Sequence, residues 1–376
     1  MKKALIVYWL HPTSPPTVRE QLHDLTSIDD IAFDYLNICF GVGKIESFLK
    51  KFRYRLLRNR LDQYDLIIFH NTASYNPFIL EKSFELFSDS MIECRAKKVL
   101  FKQDEMIHVN ATKTLIKNYG INTVFTCIPT SEIEKVYPKK EFGHVQFQTV
   151  LTGYLRKEFA MRKNKPYESR SRDITYRGMA TPFEWGRLAH EKFLIGEEFL
   201  RRSSEKRIDL KLDISSDPKA RFSGSDWYDF LEDSKVSLAV ESGASIFDFD
   251  GTVKLKCDAY RKNHPGASFQ EVEEKILKPF EGNVLYNQIS PRHLEAAALE
   301  TGLIMFEGNY SGILKPGVNF IALKKDFSNF EEVIYEFRDT LHVKGIIQNN
   351  KKLVIERSDL HSDHYLKIVS LRLLES

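Results

Sequence analysis

Cysteine is scarce: Cys39, Cys94, Cys127 and Cys257 are the only four in 376 residues, and no two stand in CxxC spacing. That excludes a zinc cage and a disulfide framework, and it suits a reducing compartment. Long apolar runs are missing too. The opening MKKALIVYWLHP has an apolar stretch only from Ala4 to Leu10 before His11 and Pro12. Such a stretch is too short to span a bilayer, and no small-residue cleavage site follows it. It reads as a buried first strand. Excess charge of one sign is also absent. The 55 Lys and Arg against 52 Asp and Glu leave a net +3, too little for nucleic-acid binding through whole-chain charge. No internal repeat or low-complexity segment is visible. What remains is a globular chain too long for one ordinary core and suited to two domains.

Strand and helix patterns alternate through the first 150 residues. Apolar runs suited to buried parallel strands are ALIVYWL (4–10), IAFDYLNI (31–38), DLIIFH (65–70), KKVLFKQD (97–104) and NTVFTCI (122–128). Helical patterns lie between them at 44–60, 77–88 and 110–119, the last ending at Gly120, a C-cap residue. The charged stretch RKEFAMRKNKPYESRSRD (156–173) reads as a linker. A second series follows. Its strands are ITYRG (174–178), IDLKLD (208–213), VSLAVE (236–241), NVLYNQIS (283–290), LIMFEG (303–308) and NFIALKKD (319–326), with helices near 185–202, 226–233, 269–277, 291–301, 329–341 and 364–374. The organisation expected is a doubly wound α/β domain over 1–155, a linker over 156–173, a second such domain over 174–345, and a helical extension over 346–376 packing back on the first. Two similar layers of this kind place a site in the cleft between them.

The most informative segment is 289–329. Ser290 and Pro291 form a helix start, a hydroxyl N-cap followed by proline at the first helical position. The amides at that end, with the cation Arg292, suit an anion such as a diphosphate. Glu295 lies one turn in, where its carboxylate is placed to accept both hydroxyls of a ribose. After LIMFEG comes a small-residue turn, Asn309-Tyr310-Ser311-Gly312, whose N–H groups suit close approach to phosphate.

In these features the sequence resembles GT-B glycosyltransferases, whose C-terminal domains carry a glutamate-led helix, a strand and a glycine-bearing loop. FKQDEMIHVN (101–110), VLTGY (150–154), ITYRG (174–178), GSDWYDFL (224–231), ESGASIFDFDG (241–251) and ISPRHLEAA (289–297) look like successive blocks of a bacterial family-1-like group associated with surface polysaccharide biosynthesis. The resemblance implies two Rossmann-like domains facing across a cleft, a nucleotide-sugar donor in the second, a glycan or lipid-linked acceptor in the first, and neither metal nor cofactor. One departure is Asn287. Retaining enzymes of this type often carry a glutamate at that place, eight positions before the ribose-binding one, so the stereochemical outcome is open.

FDFDGTVKL (247–255) points elsewhere, to the nucleophile motif of haloacid-dehalogenase-type phosphatases, with Asp248 and Asp250 as the working pair. That chemistry needs the motif at the tip of a first strand, a downstream Ser/Thr, a lysine and an acidic pair. ESGAS breaks the strand upstream, and Asp359 and Asp363 follow only a weak strand, KLVIE. The motif is therefore set aside as a phosphatase signature. Asp248, Asp250 and Glu241 are read as donor-sugar contacts or as caps of turns.

Glycosyl transfer needs a group that activates or orients the acceptor hydroxyl. Strand-end candidates are Asp104, then His70, with Glu105, His108 and His11 beside them, and Lys102 as a phosphate contact. Arg177, before Gly178 at the first strand end of the donor domain, is placed to stabilise the departing diphosphate. Arg221 and Trp227 border a nucleobase or, for the tryptophan, fill core. The segment 44–61 has apolar residues at helical spacing with Lys and Arg between them; it reads either as a core-facing helix or as a contact with an anionic membrane. The whole predicts a cytoplasmic glycosyltransferase, peripheral at the inner membrane face if 44–61 docks there. A nucleotide-sugar epimerase or hydrolase on the same scaffold and a non-catalytic glycan-binding protein are the alternatives.

Overall fold

A computed structural model describes residues 1–11, 16–39, 60–84, 88–222 and 224–375. The basic segment 44–61 falls, but for its last two residues, outside them. The chain divides into two compact units. The first comprises Met1–Val150, Phe247–Thr252 and Leu366–Ser376, the second Leu151–Ile246 and Val253–Tyr365.

The first unit is built on six strands, β1 (Lys2–Tyr8), β2 (Ile31–Asn37), β3 (Leu66–Phe69), β4 (Lys97–Phe101), β5 (Thr123–Thr126) and β6 (Gln146–Thr149). They are all parallel, in the order β2-β1-β3-β4-β5-β6. Because parallel strands are covered on both faces, β3 is buried at every residue. The strand order reverses between β1 and β3, and at their carboxyl ends lie His11 and His70. The closing helix Ser362–Leu374 ends in this unit. Its last carbonyls accept from two strand-start lysines, Lys2 Nζ to Leu374 O at 2.9 Å and Lys97 Nζ to Arg372 O at 2.7 Å, which satisfies acceptors that a helix terminus leaves open.

In the second unit β7 (Arg172–Arg177), β8 (Leu212–Ser215), β9 (Ser234–Ala239), β12 (Gly302–Phe306) and β13 (Ile321–Leu323) form a parallel sheet in the order β13-β12-β9-β7-β8. A separate antiparallel pair joins β10 (Ser242–Ala244) to β11 (Tyr286–Gln288). Side chains alternate between faces as strand geometry requires. Leu238, Ile304 and Phe306 pack one way, under the helices Gly186–Glu205 and Phe330–Arg338. Ala239, Leu303 and Met305 pack the other way, under the helix Pro291–Ala298. This is a doubly wound layer whose strand order reverses between β7 and β9, the position where such sheets open a crevice.

Several expectations change. Residues 156–173 are not a spacer. They contain the helix Lys157–Ala160, with Ala160 in the core of the second unit. Arg170 is buried there, donating to Lys165 O, Leu299 O and Ser234 O. Hydrogen bonds to backbone let charged residues occupy an interior that composition alone assigns to solvent. The stretch 283–290 supplies only the short β11 and lies outside the parallel sheet. Thr252–Asn263 is a helix the apolar pattern did not reveal, and KLVIE lies inside the helix Thr340–Glu356. Finally, Phe247–Thr252 clusters with the first unit rather than with the second.

Candidate functional site

A recess of about 190 Å³ opens in the second unit at the carboxyl ends of β7 and β9. Tyr176 to Met179 line one side, Val240 and Ser242 another, and Ser290, Arg292, Trp227 and Lys192 complete it. The helix Pro291–Ala298 delivers the polar groups. Its start is a capping box in which Ser290 Oγ accepts from Arg292 N–H at 3.4 Å and Ser290 N–H donates to His293 Nδ1 at 3.0 Å. Histidine takes the place usual for Glu or Gln. Its other nitrogen donates to the Val240 carbonyl, and burial lowers its pKa to about 3. The ring is therefore neutral, with Nδ1 as acceptor and Nε2 as donor, and it ties the helix start to the end of β9.

Two turns of chemistry follow from this start. The Arg292 guanidinium lies 5.0 Å from the centre of the Trp227 ring and donates through Nη1 to Arg177 O at 2.8 Å. Nε and Nη2 of Arg292 hydrogen-bond to no other described residue. Desolvation lowers its pKa although part of the side chain meets solvent, as befits a group on the wall of a recess. On the far edge of the same indole, Trp227 Nε1–H donates to Glu295 Oε2 at 2.8 Å. Burial raises the pKa of Glu295, opposed by this bond and by Arg292. Oε1 accepts no hydrogen bond from the described residues. Indole, guanidinium and carboxylate thus form one stacked and hydrogen-bonded platform.

A second cluster adjoins through Glu241, which is buried beyond the end of β9. Its Oε1 accepts from Asn309 N–H at 3.0 Å and Tyr310 N–H at 2.9 Å, and its Oε2 from Asn287 Nδ2 at 2.7 Å. Ser311 Oγ accepts from Ile289 N–H at 3.0 Å. Tyr310, Ser311 and Gly312 all have positive φ, the anion-cradling geometry expected of this turn. The anion it cradles is the protein's own carboxylate, so the Asn309 and Tyr310 amides are not free for phosphate. The Ser290 end is likewise occupied, in part, by its own cap.

Arg177 is not the free strand-end cation expected from the sequence. Its guanidinium pairs with Asp213 at 2.8 Å, donates to Ala220 O and Asp213 O, and stacks 4.2 Å from Phe230. A cation so engaged holds the β7 and β8 ends together. What Arg177 gives the recess is its carbonyl. Gly178 is required beside it. A Cβ there would lie 2.7 Å from Lys192 O and 2.7 Å from the Tyr176 ring.

In the first unit the strand ends hold the other candidates. His11 is exposed, stacked on Trp9, its carbonyl accepting from Arg19. His70 is buried and caps the short helix Asn71–Ser74, accepting at Nδ1 from Thr72 N–H at 3.4 Å. Burial lowers its pKa to about 4. Nδ1 also lies 2.9 Å from Thr72 Oγ1, so this nitrogen is taken up in the cap. Glu105 is buried with Thr126 Oγ1 at 2.5 Å, Cys127 N–H at 3.1 Å and Tyr137 OH at 3.1 Å all donating to it. Both its oxygens are engaged in fastening the loop after β4 to β5, which leaves it a structural group rather than the catalytic one the sequence suggested. Lys102 is buried, its ammonium donating to Ser74 O at 2.7 Å rather than standing free at the strand end. Asp104 and His108, by contrast, are exposed. Asp248 Oδ1 accepts from Gly251 N–H at 3.0 Å and Asp250 Oδ1 from Thr252 N–H at 2.9 Å, the turn-capping role.

Trp227 is the residue whose importance the sequence understated; its signal was one tryptophan on a short helix, and its partners stand far along the chain. Glu191 was missed altogether. It is buried and paired with Lys325 at 2.6 Å, with burial raising its pKa and the Glu241 charge adding to that. Among the described residues no group of His, Cys, Asp and Glu is arranged to hold a metal ion, and no helix is long and apolar enough to cross a membrane.

Against solved structures, the Anabaena protein HepE in complex with UDP-glucose matches with a TM-score of 0.56 at 10% identity, over 99% of each chain. An alpha-glucosyltransferase in complex with UDP-glucose and DNA containing an abasic site gives 0.56 at 8% identity, over 100% of this chain and 99% of that one. Sucrose-phosphate synthase from Thermosynechococcus elongatus gives 0.56 at 9%, over 99% and 98%. No protein-family model and no curated protein matches the sequence. The likeness is one of fold, and the fold is GT-B.

Proposed function

We propose that the chain is a glycosyltransferase that moves a sugar from a nucleotide diphosphate, UDP in the first instance, to a hydroxyl of a glycan or lipid-linked acceptor. One observation carries the reading. Arg292 and Trp227 line the recess at the β7/β9 reversal, Trp227 holds one oxygen of the adjoining Glu295 carboxylate, and among the described residues neither the other oxygen nor Nε and Nη2 of Arg292 has a hydrogen-bond partner. A ribose diol and a diphosphate are what such a pair recognises. In the transfer, the bond from the sugar anomeric carbon to the diphosphate oxygen breaks, and a bond from the acceptor oxygen to that carbon forms. The acceptor proton passes to a base, for which Asp104 is the exposed carboxylate at a strand end of the first unit. Arg292 offsets charge on the leaving diphosphate, the main electrostatic demand of the step. UDP is preferred because HepE and the alpha-glucosyltransferase are complexes with UDP-glucose. The order of the sequence blocks supports surface polysaccharide biosynthesis as the setting, with the enzyme in the cytoplasm or at the inner membrane face.

A thermal-shift screen of the full chain with UDP-, GDP-, CMP- and dTDP-linked sugars tests this, since a ligand that binds only the native state raises Tm. A shift with UDP-sugars, followed by transfer to an acceptor, is expected. Absence of any shift at millimolar ligand would end the proposal, and fast donor turnover without acceptor would move it to a hydrolase or epimerase.

A further inference from the structure

The FDFDG motif finds no place in the donor recess, yet its structure is specific. Residues 102–110 contain two non-glycine residues in the left-handed region, Asp104 at φ 51 and His108 at φ 56. Both side chains are exposed. Such residues carry steric strain and persist only where their surroundings over-determine them. Here four attachments do so. Two reach inward from the loop itself, Lys102 Nζ to Ser74 O at 2.7 Å and the Glu105 carboxylate to Thr126, Cys127 and Tyr137. The other two come from the FDFDG segment. Asp248 N–H donates to Met106 O at 3.0 Å, and Asn110 N–H donates to Phe249 O at 3.0 Å. Lys113 adds its ammonium 5.0 Å from the Phe249 ring centre.

The segment is itself held in shape. Phe247 is buried, Asp248 Oδ1 accepts from Gly251 N–H, and Gly251 sits at φ +85 with open space where a Cβ would stand. Asp250 Oδ1 accepts from Thr252 N–H at the start of the helix Thr252–Asn263. Asp248 is buried, and its turn aims the backbone at 248 and 249 onto both sides of Met106–Asn110.

We propose that Phe247–Thr252 is a brace that fixes the acceptor-side loop 102–110, with Asp248 as its positioning residue. The proposal rests on the reading that Asp104 and His108 serve the acceptor. Asp248 acts through Oδ1 as a hydrogen-bond acceptor, which asparagine keeps and alanine does not.

The test uses the full chain in three forms, wild type, Asp248→Ala and Asp248→Asn. Hydrogen exchange at the Asn110 amide is followed by mass spectrometry, and UDP release from UDP-glucose is measured with octyl glucoside as the acceptor probe. The brace predicts exchange at least tenfold faster in Asp248→Ala, kcat at least tenfold lower, donor KM within twofold, and Asp248→Asn within threefold of wild type in both readouts. Unchanged exchange in Asp248→Ala overturns it, as does faster exchange with unchanged kcat. Equal impairment of both variants assigns the effect to charge and overturns the stated device. If Asp248→Ala does not fold, Gly251→Ala, strained at positive φ, replaces it under the same criteria. If wild type neither binds nor turns over UDP-glucose, the functional reading has failed, and the exchange result still decides the brace.

Discussion

Trp227→Phe tests the hydrogen bond on which the proposed donor site turns. Phenylalanine keeps an aromatic face for Arg292, which lies 5.0 Å from the Trp227 ring centre, and removes the indole N–H that donates to Glu295 Oε2 at 2.8 Å together with part of the indole surface. A hydrogen bond to a charged group is worth about 1.5–3 kcal/mol and a neutral one about 0.5–1.5. Since Glu295 keeps Arg292 as a neighbour, we take the boundary, about 1.5 kcal/mol, and expect the Kd for UDP-glucose to rise roughly tenfold at pH 7.5. The bond also opposes the burial that raises the pKa of Glu295. Without it the carboxylate protonates at higher pH, so the loss of affinity should deepen on moving to pH 5.5. Calorimetric titration of wild type, Trp227→Phe, Glu295→Gln and the double variant reads both effects. The two substitutions should be strongly non-additive, because each removes the same bond. Additive effects, or a Kd for Trp227→Phe within twofold of wild type at both pH values, refute the reasoning.

Three further outcomes are expected. Glu105, raised to about 7 by burial, binds its proton more tightly folded than unfolded. Its contribution is therefore full below pH 4.5 and lost as pH rises through about 7, so Glu105→Gln should gain on wild type by on the order of 2–3 kcal/mol between pH 5 and pH 8 in urea unfolding. His293, lowered to about 3, works in the opposite sense. Stability present above pH 6.5 is lost as pH falls toward 3, and His293→Gln, which keeps a capping-box side chain, should flatten that slope by about one proton. Gly243→Ala meets Tyr286 O at 1.7 Å from the new Cβ, at φ +105. It should cost more than about 3 kcal/mol and lower Tm by roughly 5 °C or more, because Gly243 pairs with Asn287 in the β10–β11 ladder.

Buried parallel strands announced themselves because both faces are covered, so β1, β3, β4, β9 and β12 stand out as continuous apolar runs. Edge strand β6, QFQT, has no such run and was not read. The Ser290–Pro291 helix start was legible because a cap and its proline are local chemistry. Partners distant in sequence were not legible. Arg177 looked like a free strand-end cation until Asp213 and Phe230 claimed it, and the Tyr310 turn looked like a phosphate cradle until Glu241 filled it. Trp227 and Glu295 acquire meaning only once the sheet brings them within 2.8 Å. Local pattern reports propensity and capping, while charge pairing across a fold is decided by topology.

Photolabelling with 5-azido-UDP-glucose, followed by peptide mapping of the full chain, tests the donor recess most directly. The account predicts modification, competed by excess UDP, in peptides carrying Arg177–Gly178, Trp227 or Ser290–Glu295. Competed labelling confined to the first unit, or none that UDP displaces, would contradict it.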